Sequence, residues 1–293
     1  MEYESIEKHD YNDEIIKLKL PRNRIQSWFD CLINHTRDLV LSGLILTLFA
    51  FPLIALLGLT NIIVFNINYQ LSIASITELE AAKQIFEAMN TSNVLAIPAL
   101  VVLFVGLAGI IRVTRRLIWQ EHVSFSFDFK QGIKQNGISL AITALALGIV
   151  NFVMQLLIRY GYFAPDSSLY DAALVISIAL FALLILIAIH DIFQTDLYNL
   201  TFKHRVKNSF LLAMRTAPQT ILAVILFIVP WISLFFSYNG IVYFIILAIL
   251  FIIILPLQLL AIQEFIFSVF DRVINKEHHP EIFDKGIYRQ CQK

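Results

Sequence analysis

Six long apolar runs limit what this chain can fold into more than any other feature. They are Leu39–Asn61, Val94–Arg112, Gly137–Ile158, Ala172–Phe193, Thr220–Phe236 and Ile241–Phe267. A helix needs about 20 apolar residues to cross a hydrocarbon layer of ~30 Å. Inside that layer no water satisfies an open backbone group, so each run must be helical. The fifth run is short and is expected to gain length by starting near Ala217. Ser237-Tyr238-Asn239-Gly240 separates the last two runs, and Asn-Gly favours a tight turn, so a helical hairpin is expected there. Composition agrees. The chain is 58% hydrophobic and 15% charged, where soluble domains carry about 25% charge. Its formal net charge of zero provides no overall field to attract nucleic acid.

Lysine and arginine orient the chain. Twenty of the 22 lie in the N-terminal tail, between runs two and three, between runs four and five, or in the C-terminal tail. Only Lys83 and Arg159 fall on the opposite side. The positive-inside rule therefore predicts an even number of crossings with both termini cytoplasmic. The expected organisation is a cytoplasmic N-terminal tail with an amphipathic segment (1–38), a six-helix transmembrane domain (39–268) and a cytoplasmic C-terminal tail (269–293). The fold class is all-α, a polytopic membrane bundle with short interfacial amphipathic helices. Residues 1–38 are rich in charge and contain no apolar core of a signal peptide, so the first run is expected to act as its own insertion signal. Cys31 and Cys291 sit one in each tail, without the spacing of a metal or disulfide framework.

The segment 66–93 reads as the longest outer loop. Within it Thr77 and Glu80 have the spacing of a capping box, predicting a short surface helix to about Asn90. On the inner side two similar hexapeptides stand 73 residues apart. Phe129-Lys130-Gln131-Gly132-Ile133-Lys134 precedes the third run and Phe202-Lys203-His204-Arg205-Val206-Lys207 the fifth. At helical spacing the aromatic and the β-branched residue share a face beside the lysines. Short interfacial elbows are expected, with Phe129 and Phe202 in the acyl boundary and Lys130, Lys134, Lys203 and Lys207 reaching for anionic headgroups. The two copies hint at a parallel helix-pair repeat.

Polar groups inside apolar runs are costly and are the natural candidates for function. Arg112, His190 (followed by Asp191) and Glu264 lie at one depth, near the inner ends of runs two, four and six. They could form an ion-pair cluster or a proton relay; the plainer reading has them reaching to the interface. In the third run Ala141, Ala144, Gly148, Asn151 and Gln155 share one helical face. Small residues there allow close packing and the amides can bond across it, while a solute path past Asn151 and Gln155 is the alternative. Pro52, Pro230 and Pro256 should bend their helices. His278 and His279 are adjacent and lack the i, i+4 geometry of a zinc helix. No phosphate-binding loop, nucleophile elbow or dinucleotide fingerprint occurs, so neither catalysis nor a cofactor is expected. Glu80-Ala81-Ala82 is similar to the coupling loop of binding-protein-dependent permeases, but it lacks the following glycine and lies on the wrong side.

Three stretches carry a family likeness. They are Gln120-Glu121-His122-Val123-Ser124 with Asp128-Phe129-Lys130 and Lys134-Gln135-Asn136; Val206-Lys207-Asn208-Ser209-Phe210 leading to Ala217-Pro218-Gln219-Thr220; and Phe270-Asp271-Arg272-Val273-Ile274-Asn275-Lys276 with His279-Pro280-Glu281 and Lys285-Gly286. In these the chain resembles the YesL-like family of small bacterial membrane proteins, built on a domain of unknown function. It departs from that family in its longer N-terminal tail and its large segment at 66–93. The resemblance implies a bacterial plasma-membrane protein without an assigned reaction, in an accessory role beside a carbohydrate uptake system. The expected function is a non-enzymatic accessory or regulatory protein whose partners are the lipid bilayer and a membrane permease or other membrane protein. The alternative is a small transporter or channel subunit for a polar solute.

Overall fold

The computed structural model describes residues 20–163, 168–198, 200–236 and 240–288, and among these the protein is predominantly helical with no strand. Its long elements are α1 (Arg24–Asn34), α2 (Thr36–Ser72), α3 (Glu78–Ile118), α4 (Phe125–Phe163), α5 (Ser168–Leu197), α6 (Phe202–Arg215), α7 (Ala217–Ile228), α8 (Gly240–Ile249) and α9 (Leu255–Phe270). Among the described residues six helical stretches are long and apolar enough to cross a membrane, as the sequence required. The fifth begins at Ala217 and ends at Leu234. It tightens from α7 into a 3-10 turn over Val229–Phe236, where Pro230 withholds an amide from the α-helical ladder. The Ser237–Asn239 turn and Cys291 lie outside the described residues.

Two features differ from expectation. The segment 66–93 is not a loop. α2 and α3 run 37 and 41 residues, about 55 and 60 Å at 1.5 Å per residue, well beyond what a bilayer needs. The capping box forms: Thr77 N donates to Glu80 Oε2 at 3.0 Å and Glu80 N to Thr77 Oγ1 at 3.3 Å. The helix it starts does not stop near Asn90, however. Residues 81–93 contain no proline or glycine to end it, so it passes straight into the span. The two elbows also fold differently. Phe129–Lys134 is part of the unbroken α4, whereas the second elbow opens a separate helix, α6, which ends at the Thr216 turn.

The chain forms two compact units. The first comprises 1–44, 110–129 and 223–293. Here α1 packs on α9. Its cap is Asn23, whose side chain accepts from Gln26 N at 2.7 Å. Ser27 and Cys31 are buried while Ile25, Phe29 and Ile33, also four apart, are more than half exposed. Trp28 Nε1 donates to the Leu257 carbonyl at 3.2 Å. Before α9 the chain makes a π turn over Leu250–Ile254. Pro256 lacks the amide that would bond back to the Ile252 carbonyl. Gly43 of α2 packs directly on that carbonyl, and a Cβ at position 43 would collide with Ile252 backbone atoms. A second π turn over Asp271–Asn275 extends α9 toward His278. The C-terminal segment then folds back. Gly286, at φ +84°, lies against the Ile118 carbonyl, and Tyr288 N donates to the Pro21 carbonyl at 2.8 Å.

The second unit comprises 45–109 and 130–222. α2 and α3 approach closely at Gly106, where a Cβ would strike the Phe49 ring, and farther out through Thr60 Oγ1 to Ser92 Oγ at 2.8 Å. α4 meets α3 at Gly148, whose absent side chain admits Ile97. At Gly148 the lack of a side chain thus lets the two helices come close. Arg159, one of the two cations on the minority side, donates to Asn90 Oδ1 at 2.7 Å.

Candidate functional site

The second unit concentrates its buried polar groups where α4, α5 and α6 come together. α5 ends at Leu197 and the chain turns back into α6, whose first turn returns Arg205 toward the end of α5. Arg205 is 3% exposed and Asp191 2%. Arg205 Nε donates to Asp191 Oδ1 at 2.5 Å and Thr143 Oγ1 to Asp191 Oδ2 at 2.6 Å. The carboxylate thus has a charged and a neutral donor, which a buried charge requires. Gln194 Nε2 donates to Ser209 Oγ at 3.1 Å one turn farther along both helices. Asn136 Nδ2 donates to Asp196 Oδ1 at 2.8 Å. Above these groups lies a cavity of about 420 Å³ lined by Asn136, Ser139, Thr195, Asp196, Tyr198 and Arg205, among others.

Neighbouring His190 is fully buried. Its Nδ1 lies 2.9 Å from the Leu186 carbonyl and its Nε2 3.2 Å from Thr216 Oγ1, which in turn meets Thr220 Oγ1 at 3.2 Å. His190 thus joins α5 to the α6–α7 turn. Asn151 and Gln155 are half-buried on α4 and do not line the cavity. Lys130, Lys134, Lys203 and Lys207 are exposed, as is Phe202, while Phe129 is half-buried. On α6 the exposed Phe202, Val206 and Phe210 form an apolar stripe flanked by the lysines on one side and by buried Arg205, Ser209 and Leu212 on the other, the Arg205 guanidinium lying 5.4 Å from the centre of the Phe202 ring. This is the geometry of an interfacial helix.

No family model matches the chain, and no curated protein or solved structure does so.

Glu264 belongs to the first unit and has a partner that the sequence did not single out. Arg24 of α1 reaches it at 3.4 Å and donates more closely to Asp271 Oδ2, at 2.6 Å, from Nη2. Asn275 Nδ2 donates to the other Asp271 oxygen at 2.8 Å. One cation from α1 therefore holds two carboxylates from the last membrane helix. Arg112 is half-buried in the same unit. His190 sits in the other unit with its own partners, so the structure assigns Glu264 and His190 to separate networks. Burial, with Glu264 and Asp30 adding to it, pushes the Cys31 thiol up from 9.0 to about 12.

The stretch from Gln120 to Phe129 shapes a turn. Ser124 N donates to Asp128 Oδ2 at 2.9 Å, and Arg116 Nη1 meets Asp128 Oδ1 at 2.8 Å, so Asp128, with no exposed surface, fixes the turn from α3 into α4. Lys285 closes over that turn, 2.7 Å from Glu121 Oε1 and 4.0 Å from the centre of the Trp119 ring. Sequence spacing could not pair Lys285 with Glu121 and Trp119, because they stand more than 160 residues apart and helical periodicity carries no register between helices.

Proposed function

We propose that this is a non-enzymatic accessory or regulatory protein of the bacterial plasma membrane, with both termini cytoplasmic, that engages another membrane protein. The observation that carries this reading is the outer part of the α2–α3 hairpin. A bilayer accounts for about 20 residues of α2 beyond Leu39, so the helix continues past it from near Thr60 to Ser72. On that continuation Ile62, Phe65 and Tyr69, with Ile73 in the turn just after it, follow one another at three or four residues and are each more than half exposed. An apolar stripe beyond the hydrocarbon layer, where water would otherwise cover it, is what a protein partner buries. The resemblance to YesL-like proteins supports a permease of a carbohydrate uptake system as that partner. The partnering of His190 and Asp191 by Thr216, Thr143 and Arg205 favours a structural over a catalytic role for them.

The test is purification of the tagged protein from its native membrane in mild detergent, alongside a Phe65→Glu, Tyr69→Glu variant. A membrane transport component recovered stoichiometrically with the native chain and lost from the variant is the expected result. Recovery of the native protein alone would move the weight to passage of a polar solute, which the cavity favours. Flux into liposomes would then be measured for the native chain and for Ser139→Leu, which narrows the cavity.

A further inference from the structure

We infer that a crevice between α3 and α4 binds a small uncharged polyol through the side-chain amides of Asn151 and Gln155. This is independent of the partner-binding stripe on α2. On α4, Ala144, Gly148, Asn151 and Gln155 share one face, opposite the exposed Ile142, Leu145, Ile149 and Val153. That face is turned toward α3, and two contacts fix the register. Gly148 packs on Ile97, and Arg159 Nη1 donates to Asn90 Oδ1 at 2.7 Å. The two helices run antiparallel, so Asn151 and Gln155 stand between these contacts, level with Asn93. At Gly148 a Cβ would come within 3.3 Å of Ile97 Cα, so the backbones nearly touch. At the other contact a long arginine side chain spans the gap. The helices therefore part between Gly148 and Arg159, and Asn151 and Gln155 are only half-buried.

The hydrogen-bonding capacity of this crevice is unspent. Asn151 and Gln155 bond to none of the described residues, and Asn93 Nδ2 is buried without an acceptor. An amide in an apolar run without a partner is costly. Each amide offers a carbonyl acceptor and two N–H donors. Hydroxyl groups both donate and accept, so they meet both ends of an amide, whereas an ammonium only donates and a carboxylate only accepts. No charged residue lies between Glu87 and Arg112 on α3 or between Lys134 and Arg159 on α4, so a charged ligand would enter without a counter-ion. Residues four apart on a helix stand about 5–6 Å from one another, a distance that a short chain of hydroxylated carbons spans. The Arg159–Asn90 bridge across the gap bars a further helix, which favours a small molecule.

The experiment is saturation-transfer difference NMR of the full chain in detergent micelles, with erythritol as the probe and choline and acetate as charged controls. The expected result is an erythritol signal above that of empty micelles and at least fivefold stronger than that of either ion. Asn151→Leu with Gln155→Leu, which replaces the unpaired amides by apolar side chains of similar size, should lower the erythritol signal at least fivefold. Its helical content and monodispersity would be checked beside the native protein. A second measurement keeps both amides. In a Cys291→Ser background, the thiol of Asn93→Cys should react with a small methanethiosulfonate reagent, and erythritol should slow that reaction at least threefold. An erythritol signal no greater than that of empty micelles would overturn the inference and leave the crevice to water alone. So would a signal unchanged in the folded double variant, equal signals from erythritol and choline, or an Asn93→Cys thiol that erythritol does not protect.

Discussion

Two glycines of one helix should respond in opposite directions to the same substitution. Gly43 and Gly58 both lie in α2. A Cβ at Gly58 meets nothing within 4 Å, whereas one at Gly43 would run into the carbonyl oxygen, carbonyl carbon and Cα of Ile252. Alanine is favoured over glycine inside a helix by about 0.8–1 kcal/mol, and both variants gain that term. Gly43→Ala must also push apart two helix backbones, and backbone cannot rotate away as a side-chain tip can. Overpacking costs about 1–3 kcal/mol, and the contact here involves the π turn ahead of Pro256, a stretch already short of one amide. Gly58→Ala should therefore be neutral or stabilising by up to about 1 kcal/mol. Gly43→Ala should fall below it by about 1–3 kcal/mol. Equilibrium unfolding in mixed micelles, followed by far-UV circular dichroism, measures both. Equal midpoints for the two variants would refute the close approach of α2 to Ile252.

Further outcomes follow from other contacts. Asp191→Asn leaves Arg205 buried without its counter-charge and should cost about 3–5 kcal/mol in the same assay, while Asp191→Asn with Arg205→Met should recover much of it. Gly286→Ala adds a Cβ against the Ile118 carbonyl at a φ of +84°; it should loosen the C-terminal segment and speed tryptic cleavage after Lys285, with cleavage unchanged if that segment does not dock. A rise of the Cys31 thiol from 9.0 to about 12 lowers its thiolate fraction at pH 8 by roughly three orders of magnitude. In a Cys291→Ser background, maleimide should hence label the folded protein far more slowly than the denatured chain. Folding favours the protonated thiol, so its contribution to stability is complete below pH 9 and declines as pH rises from 9 toward 12.

By itself the sequence determined the spanning architecture, because burying a backbone in hydrocarbon leaves a chain with six such runs no solution but helices. It also determined where those helices could start and bend: the Thr77–Glu80 box, the start at Ala217 and the break at Pro230 are local interactions encoded within a few residues. It could not decide how far a helix continues once started, and so α3 runs on from the capping box through Asn90 because nothing in its sequence stops it. Nor could it separate the two elbows. Their hexapeptides are alike, yet one stays continuous with α4 while the other becomes α6. Only the tertiary structure chose the partners of the buried charges. Arg24 holds Glu264 and Asp271 across 240 and 247 residues of chain, and Arg205 holds Asp191 because the chain turns back after α5. Periodicity gives each of these residues a face on its own helix. Which charge it meets depends on how helices pack, and a buried charge settles on whichever partner that packing brings within hydrogen-bonding distance.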